Sequence, residues 1–330
     1  MVEQVLSPLP SRNFKFDVMK NTLNRRDFVR LAGLAGAGAL IAPNLAFEEA
    51  KKKNFKIGST FILWGYGADA LEPALKDMAA LGYHSFETFG NVIEDWETKR
   101  GGFGPVVQKY GVPIVSAFCT SDVLDPAKKK DELAKLVRWS KLLKANGGKV
   151  IEYCAGGRRG RDFNYKEHAK YMVESMNDYA KAVTDEGLVC ALHPHTGTPV
   201  ETEEEIYYVM NNLDTRYMKF GPDVGQIQKG GGDPLKVCKD FVSLIEHVHL
   251  KDYAGGETGY LGYSPLGVGK VKIAEIMKLL EKRKKDMAGM VMFELDYQQN
   301  GKPPYSNFEA AKVSRDFMAK LDYKFTPKTA

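Results

Sequence analysis

Phe55-Lys-Ile-Gly-Ser-Thr60, followed after a short gap by Ala70-Leu-Glu-Pro-Ala-Leu-Lys-Asp-Met-Ala-Ala-Leu81, sets the pattern of this chain. The first stretch has the length and apolar content of a buried strand. The second repeats apolar residues at Leu71, Leu75 and Met78, which is the spacing of one helix face. Together they predict a β-strand followed by an α-helix.

The same alternation continues to the end of the chain. Seven further strands are predicted at 83–88, 112–118, 149–154, 188–193, 218–223, 245–251 and 290–295. Helical segments are predicted up to residue 110 and near 128–146, 166–186, 202–211, 234–244, 272–282 and 307–321. Eight such units close most naturally into a (β/α)8 TIM barrel, here one domain over 51–330. An open doubly wound sheet is the alternative, but no GxGxxG fingerprint follows the first strand.

The first 50 residues have a different character. Asn24-Arg-Arg-Asp-Phe-Val-Arg30 precedes a weakly apolar run, 31–42, that is rich in Gly and Ala. This arrangement resembles a twin-arginine export signal, and the run is too short to span a bilayer stably. We therefore expect residues 1–50 to be a leader and linker, and Met19 is an alternative start of the chain. The leader predicts that the protein is periplasmic or exported. An amphipathic helix packed on the barrel is the other interpretation.

Composition excludes several classes of protein. Hydrophobic residues make up 44% and charged residues 27%, which is typical of a globular chain. The net charge is +5, but the first 46 residues hold six Lys/Arg and three Asp/Glu, so the remainder carries 5 − 3 = +2. A nucleic-acid partner is therefore not expected. The four cysteines lack CxxC spacing and are expected to be buried, although Cys119 and Cys154 could pair in an oxidising compartment.

The predicted strand ends carry reactive side chains, which is where barrel enzymes place their chemistry. Six of the eight ends bear a carboxylate or an imidazole: Glu87, Glu152, His193 with His195, Asp223, His249 with Lys251, and Glu294 with Asp296. Carboxylates inside a barrel are costly unless they are paired or bind a metal. Carboxylate and imidazole donors without a thiolate favour a divalent ion such as Mn²⁺, Mg²⁺, Co²⁺ or Zn²⁺.

Such an ion would act as a Lewis acid for a carbonyl and its neighbouring hydroxyl on a sugar or keto-sugar. A nearby base would remove the proton from the carbon that bears the hydroxyl, and this would leave an enediolate. Isomerisation, epimerisation and elimination of water share this first step. The donor set therefore predicts a family of reactions rather than one reaction.

Several short motifs resemble a known family. They are Pro222-Asp-Val-Gly225, His247-Val-His-Leu-Lys-Asp252, Pro265-Leu-Gly-Val-Gly269 and Phe293-Glu294. In this order they resemble the xylose isomerase-like TIM barrels, the sugar phosphate isomerase/epimerase superfamily, over 55–321. Strand five, with Leu192-His-Pro-His-Thr-Gly-Thr198, is similar to inosose dehydratase-like members.

The resemblance implies a metal bound by Asp223, His249 and Glu294. The fourth ligand is either Glu152 or His193. We expect Glu152, because strand four would otherwise bury an unpaired carboxylate.

Catalytic roles are expected for three residues. Lys251 is predicted to polarise a substrate carbonyl or oxyanion, unless it forms only a rim salt bridge with Asp252. His193 and His195 are candidate proton carriers, because imidazole titrates near neutral pH. His247, which lies deeper in the barrel, is expected to have a structural role.

Substrate-binding roles are expected elsewhere on the rim. Glu87 is predicted either to bind the sugar or to cap the next helix, and Asp296 to contact the substrate or orient a metal ligand. Trp64 and Phe89 could stack on a sugar, or pack at the rim. Arg158, in a basic cluster with Arg159 and Arg161, suggests a lid over the substrate or a solvated loop.

Two other functions are considered. The first is an exported, non-catalytic sugar-binding barrel, which would need only the metal and the rim. The second is a nuclease of the endonuclease IV type, which is less expected because its three-metal site needs more than the six histidines here. No membrane span is expected in the mature protein, and barrels of this type frequently form homo-oligomers.

Overall fold

The computed structural model describes residues 55–157, 159–160, 162–257, 259–297 and 303–328. The predicted leader, Arg158 and Arg161 therefore lie outside the described residues. Within these ranges, none of the helices combines the length and the apolar character needed to cross a membrane.

Eight parallel strands form the central sheet, as predicted. They are β1 (Ile57–Thr60), β2 (Phe86–Phe89), β3 (Ile114–Asp122), β4 (Val150–Gly156), β5 (Val189–Leu192), β6 (Met218–Phe220), β7 (Val248–Leu250) and β10 (Val291–Phe293). The strands are ordered β6-β5-β4-β3-β2-β1-β10-β7. A short antiparallel hairpin of β8 (Asp252–Tyr253) and β9 (Tyr263–Ser264) follows β7. The predicted (β/α)8 TIM barrel is confirmed.

The sheet closes between β6 and β7. Parallel bridges join Phe220 to Ile245 and Asp223 to His249. The amide of His249 donates a hydrogen bond to the carbonyl oxygen of Pro222 at 3.0 Å. Closure therefore makes the candidate metal ligands Asp223 and His249 neighbours.

Helices connect the strands on the outside of the barrel. They are α1 (Leu71–Leu81), α2 (Gly90–Lys99), α3 (Phe103–Tyr110), α4 (Lys129–Ala145), α5 (Tyr165–Asp185), α6 (Glu203–Asn212), α7 (Val224–Lys229), α8 (Pro234–Asp240), α9 (Ile273–Glu281) and α10 (Asn307–Lys320). In α1 the residues with helical spacing, Leu71, Leu75 and Met78, are fully buried. Each such side chain contributes roughly 1.5–3 kcal/mol on burial.

Two local features differ from the sequence prediction. The helix predicted up to residue 110 is split into α2 and α3, because Gly101 and Gly102 adopt positive φ angles of 84° and 104°. Strand β6 ends at Phe220 rather than at Asp223. The Asp223 carboxylate instead caps α7 by accepting hydrogen bonds from the amides of Gly225 and Gln226, both at 2.9 Å.

The four cysteines are buried and free of disulfides. This matches the expectation that they act as small apolar side chains. Burial raises the pKa of Cys154 to about 12, so its thiol stays protonated at neutral pH. Cys119 and Cys154 are not paired.

Candidate active site

The barrel brings most of the predicted site residues together at the carboxyl ends of the strands. Each of the following is at most 6% exposed: Glu87, Glu152, His193, Asp223, His247, His249, Lys251, Glu294 and Asp296. Nine ionisable or imidazole side chains are thus removed from solvent in one region. Burial on this scale requires that their charges be compensated.

His249 lies at the centre of this cluster. Its Nε2 is 3.0 Å from Oε1 of Glu87, and its Nδ1 is 2.9 Å from Oε2 of Glu294. Neither approach has the geometry of a hydrogen bond, so both ring nitrogens lack a hydrogen-bond partner. Burial opposes the charged form, but Glu294 and Glu87 outweigh it and raise the pKa of His249 well above its usual value. The carboxylates therefore attract positive charge to this position.

Three sets of potential metal-binding atoms share His249. In each set the donor atoms lie within 4.8 Å of one another. The sets are Glu87–His247–His249, Glu152–His193–His249 and Asp223–His249–Glu294. The third contains the three ligands that the sequence motifs implied.

Glu152 and His193 form one hydrogen-bonded pair, with Nδ1 of His193 3.1 Å from Oε1 of Glu152. The second atom of each group, Oε2 of Glu152 and Nε2 of His193, has no partner. Burial raises the pKa of Glu152 well above its usual value, and burial together with His249 lowers that of His193 well below its own. Both candidates for the fourth ligand therefore present a free donor atom.

A glycine makes room for this carboxylate. A Cβ on Gly221 would lie 2.2 Å from Oε1 and 2.3 Å from Oε2 of Glu152, so any residue other than glycine at this position would require the carboxylate to move. The backbone after β6 therefore touches the carboxylate directly.

The donor set fits a divalent cation. Five buried carboxylates share the region with one ammonium, that of Lys251. Oε2 of Glu152 and Nε2 of His193 are buried without a partner, and Oδ2 of Asp223 and both ring nitrogens of His249 have ionic neighbours but no hydrogen bond. An unsatisfied buried polar group costs about 1–3 kcal/mol, more when charged, and a bound cation would satisfy several of them at once. Carboxylate and imidazole donors suit Mn²⁺, Mg²⁺ or Zn²⁺.

Lys251 is fully buried among three carboxylates. Its Nζ lies 2.7 Å from Glu294, 2.8 Å from Asp296 and 3.1 Å from Asp223. Burial opposes the charged form, but Asp223 and Asp296 outweigh it and raise the pKa of Lys251 well above its usual value. Lys251 is thus an ammonium inside the cluster, and its partner is Asp296 rather than Asp252.

Asp252 instead holds the loop that follows the β8–β9 hairpin. Its carboxylate accepts hydrogen bonds from the amides of Gly267 and Gly269 at 2.9 Å and of Val271 at 3.0 Å. A Cβ on Gly269 would lie 2.2 Å from Oδ1 of Asp252. The glycines of this motif therefore allow the backbone to approach the carboxylate.

His247 has both ring nitrogens satisfied. The amide of Met290 donates to Nδ1 at 3.0 Å, so the proton is on Nε2, which donates to Oε2 of Glu87 at 3.0 Å. Ser116 donates to the same oxygen at 2.5 Å. Although burial opposes ionisation, His249 and His247 lower the pKa of Glu87 to about 2. His247 therefore fixes an ionised Glu87 with Oε1 directed at His249.

His195 is also engaged on both sides. Its Nδ1 lies 2.7 Å from the carbonyl oxygen of Thr196, and its Nε2 lies 2.8 Å from Nε2 of Gln226. The other amide atom of Gln226, Oε1, accepts from the hydroxyls of Thr196 and Tyr263. Gln226 therefore donates to Nε2 of His195, and Nδ1 of His195 faces the carbonyl oxygen of Thr196.

Only some of the rim residues that were predicted to contact the substrate line the cavity. The indole of Trp64 donates to Asp77 of α1 at 2.8 Å, and Trp64 does not line the cavity beside the cluster. Phe89 does line it, as does Tyr66. Next to Arg158, which is not described, Arg159 pairs with Glu205 at 2.9 Å.

Sequence reasoning missed several residues of the site. They are Thr60, Phe61, Tyr66, Ser116, Phe118 and Gln226. Gln226 follows Asp223 by one helical turn, but nothing in its neighbours marks it. The aromatic residues could be found only by knowing which side of each strand faces inward.

Comparison with known proteins places the chain in a family. Residues 75–321 match the xylose isomerase-like TIM barrel family. The chain belongs to this family. An inosose dehydratase from Clostridium perfringens (strain 13 / Type A) is 25% identical over 217 residues, which cover 60% of this chain and 71% of the relative.

Solved structures share the fold. The probable 3-DHS dehydratase AsbF from Bacillus anthracis has a TM-score of 0.65 at 14% identity, covering 80% of this chain and 98% of that chain. A xylose isomerase-like TIM barrel protein from Mycobacterium smegmatis, crystallised in complex with magnesium, has a TM-score of 0.62 at 14% identity, covering 81% and 96%. Structures with this fold thus include one crystallised in complex with magnesium.

Proposed function

We propose that this protein is a divalent-metal-dependent enzyme that removes a proton next to the carbonyl of a keto-sugar. The observation that carries the proposal is the cluster around His249, in which buried donor atoms from several strands converge and several of them make no hydrogen bond. A sugar-processing enzyme is consistent with the family and with the dehydratase named among its relatives.

The ion would be held by Asp223, His249 and Glu294, with Glu152 or His193 as the fourth ligand. When bound, it would supply Lewis acidity to the two substrate oxygens and so stabilise the enediolate. Lys251 adds a second positive charge beside Glu294 and Asp223. A substrate oxyanion would take over one of its three N–H donors, which now face carboxylates.

Proton transfer would fall to the pair of Glu152 and His193. The unpartnered Nε2 of His193 can accept a proton, and the hydrogen bond from its Nδ1 to Glu152 would stabilise the imidazolium that forms. His195 would hold Thr196 and Gln226 in place at the rim of the site, because both of its nitrogens are already engaged with these residues. Of the reactions that begin this way, we favour elimination of water, in line with the inosose dehydratase relative.

The test combines metal analysis with isotope exchange. We expect purified protein to contain about one divalent ion per chain, and to catalyse uptake of deuterium from D₂O next to the carbonyl of an inosose or a 3-keto-glucoside. Glu294→Gln should lose both the ion and the exchange. If wild-type protein loaded in turn with Mn²⁺, Mg²⁺, Co²⁺ and Zn²⁺ exchanges no proton in any tested keto-sugar, the enzyme proposal is wrong.

We also propose that the chain is exported by the twin-arginine route, on the basis of Arg25, Arg26 and Phe28. A fusion of residues 1–50 to a reporter that needs this route should be exported. Replacing Arg25 and Arg26 together by Lys should keep the reporter in the cytoplasm. Export of the double variant at the original level would contradict the proposal.

A further inference from the structure

A cavity of about 240 Å³ opens beside the His249 cluster. Glu87 and Glu294 form part of its lining, so it is continuous with the candidate metal centre. The opposite side is formed by residues at the ends of β1, β2 and β3. A ligand bound at the centre would therefore extend into this cavity.

The side formed by β1 to β3 is aromatic. Phe89 is central to it, with ring centroids 5.1 Å from Phe61, 5.6 Å from Phe118 and 6.4 Å from Tyr66. Tyr66 and Phe89 are nearly parallel, at 6°. Tyr66 is 39% exposed and lies at the mouth. We call these four residues the aromatic wall.

Two hydroxyls of the residues that line the cavity, those of Thr60 and Thr88, have no hydrogen-bond partner. Thr60 pairs with Glu87 in the register of β1 and β2, so its side chain shares the inner face of the barrel with the Glu87 carboxylate. Its hydroxyl is buried and has no hydrogen-bond partner. Because a buried unpaired hydroxyl is unfavourable, this atom is available to a ligand.

The cavity is unsuited to two ligand types. Its described lining residues include no Lys or Arg, and the Glu87 and Glu294 carboxylates would repel an anion, so a sugar phosphate would not be stabilised. A second sugar ring would place several hydroxyls mainly against aromatic carbon, and among the described lining residues only the Thr60 and Thr88 hydroxyls are buried and unpartnered. A flat apolar ring would bury its surface without this cost.

We propose that the aromatic wall binds an aryl substituent, so that the substrate is an aryl glycoside of a keto-sugar rather than a free or phosphorylated keto-sugar. The inference rests on the proposed function for the sugar half of the ligand. The sugar lies on the side of Glu87 and Glu294, the aryl ring lies against Phe89 and Tyr66, and the Thr60 hydroxyl donates to an oxygen between the two.

Binding can be measured separately from turnover. Phenyl β-D-glucopyranoside and methyl β-D-glucopyranoside contain no carbonyl and cannot enolise, so calorimetric titration reports affinity alone. We expect the phenyl compound to bind at least about tenfold more tightly, which corresponds to 1.4 kcal/mol. Glucose 6-phosphate should bind no more tightly than the methyl compound. Equal affinities, or no detectable binding of the phenyl compound, would overturn the inference.

Substitutions in the aromatic wall test whether the phenyl group binds there. Tyr66→Ala and Phe118→Leu should each remove most of the phenyl preference, whereas Phe308→Ala on α10 should leave it unchanged. Phe308 is a matched control because it is also 39% exposed. Tyr66 is at the surface, so its replacement should not unfold the protein, and thermal melting checks this. A preference that survives in both wall variants would refute the aromatic wall as the binding site.

The two proposals fail in different ways. If no keto-sugar exchanges deuterium but the phenyl preference is present, with or without EDTA, the enzyme proposal fails and the aryl-binding site remains. If exchange occurs and the phenyl preference is absent, only the aryl-binding inference fails. Thr60→Val should weaken binding of both glucosides by roughly 2- to 10-fold, the value of one hydrogen bond.

Discussion

The two His-x-His pairs of this barrel have the same spacing but opposite internal order. In the pair after β5, the first residue, His193, joins the candidate metal cluster and the second, His195, is fixed by Thr196 and Gln226. In the pair on β7, the first, His247, is fixed by Met290 and Glu87, and the second, His249, is central to the cluster. In each pair, therefore, one member has a ring nitrogen without a hydrogen bond, and both nitrogens of the other are engaged.

Depth along the barrel axis explains the difference. β5 ends at Leu192, so His193 is the first residue past the strand and His195 reaches the rim. His249 is in the middle of β7, and His247 precedes that strand at the bottom of the cluster. The rings of His193 and His249 meet at 4.7 Å because they have the same depth. The motif provides two imidazoles, and the strand end decides which one binds or reacts.

The largest effect is expected for His249→Gln, which removes the residue shared by all three donor sets. Loss of metal-dependent charge stabilisation of several kcal/mol predicts a fall in kcat/KM of about a thousandfold or more. Metal analysis should show less than a full equivalent of ion, and added Mn²⁺ should no longer raise the melting temperature. If this variant kept the metal content of the wild-type protein, His249 would not be a metal ligand.

A smaller loss is expected for His193→Gln. If its Nε2 accepts the substrate proton, kcat should fall by about 10² or more, because general base catalysis typically contributes 10²–10⁴. Measuring deuterium exchange and metal content together separates its two possible roles. Loss of exchange with the ion retained indicates a base, and loss of the ion indicates that His193 rather than Glu152 is the fourth ligand.

His247→Leu should act indirectly, through Glu87. The variant leaves the Met290 amide and one Glu87 oxygen with fewer partners, which costs about 1–3 kcal/mol of folding free energy. Outer partners of metal ligands typically change affinity by about 10–100-fold, and we expect a decrease in this range. Titration with Mn²⁺ followed by thermal melting measures both. An unchanged affinity would mean that Glu87 does not orient His249.

The smallest effect on turnover is expected for His195→Gln. Both nitrogens of His195 are engaged within the protein, so kcat should change by less than about tenfold. Comparing kcat of this variant with kcat of His193→Gln tests the two histidines of one motif against each other. A fall of 10²–10⁴, the range typical of a general base, would reverse the assignment of the two residues.

The sequence predicted the barrel because its signal is periodic and repeated. Eight apolar runs alternate with helical segments, and each strand was located to within a few residues. The end of β6 was placed too late although Gly221 and Pro222 follow Phe220, because the apolar pattern was extended to Asp223, which in the structure caps α7. Local capping, rather than hydrophobic pattern, decided that boundary.

The candidate site was predicted in part. Glu152, Asp223, His249 and Glu294 were identified because a carboxylate or imidazole at a strand end is unusual in an apolar context. Contacts that depend on depth along the barrel axis and on side-chain direction were not predicted. The indole of Trp64 turns to Asp77, and Tyr66, two residues later, reaches the cavity instead. Likewise, Gln226 acquires its role only through Tyr263 and His195, which are distant in sequence.

The contact between Gly221 and Glu152 has a consequence for sequence variation. The space that a methyl group at 221 would need is filled by the Glu152 carboxylate, 2.2 Å away. Among relatives, alanine or a larger residue at the position of Gly221 should therefore occur only where the position of Glu152 holds a shorter side chain. Coordinated replacement at these two positions would record, in the family's history, the loss of one of the two candidates for the fourth metal ligand.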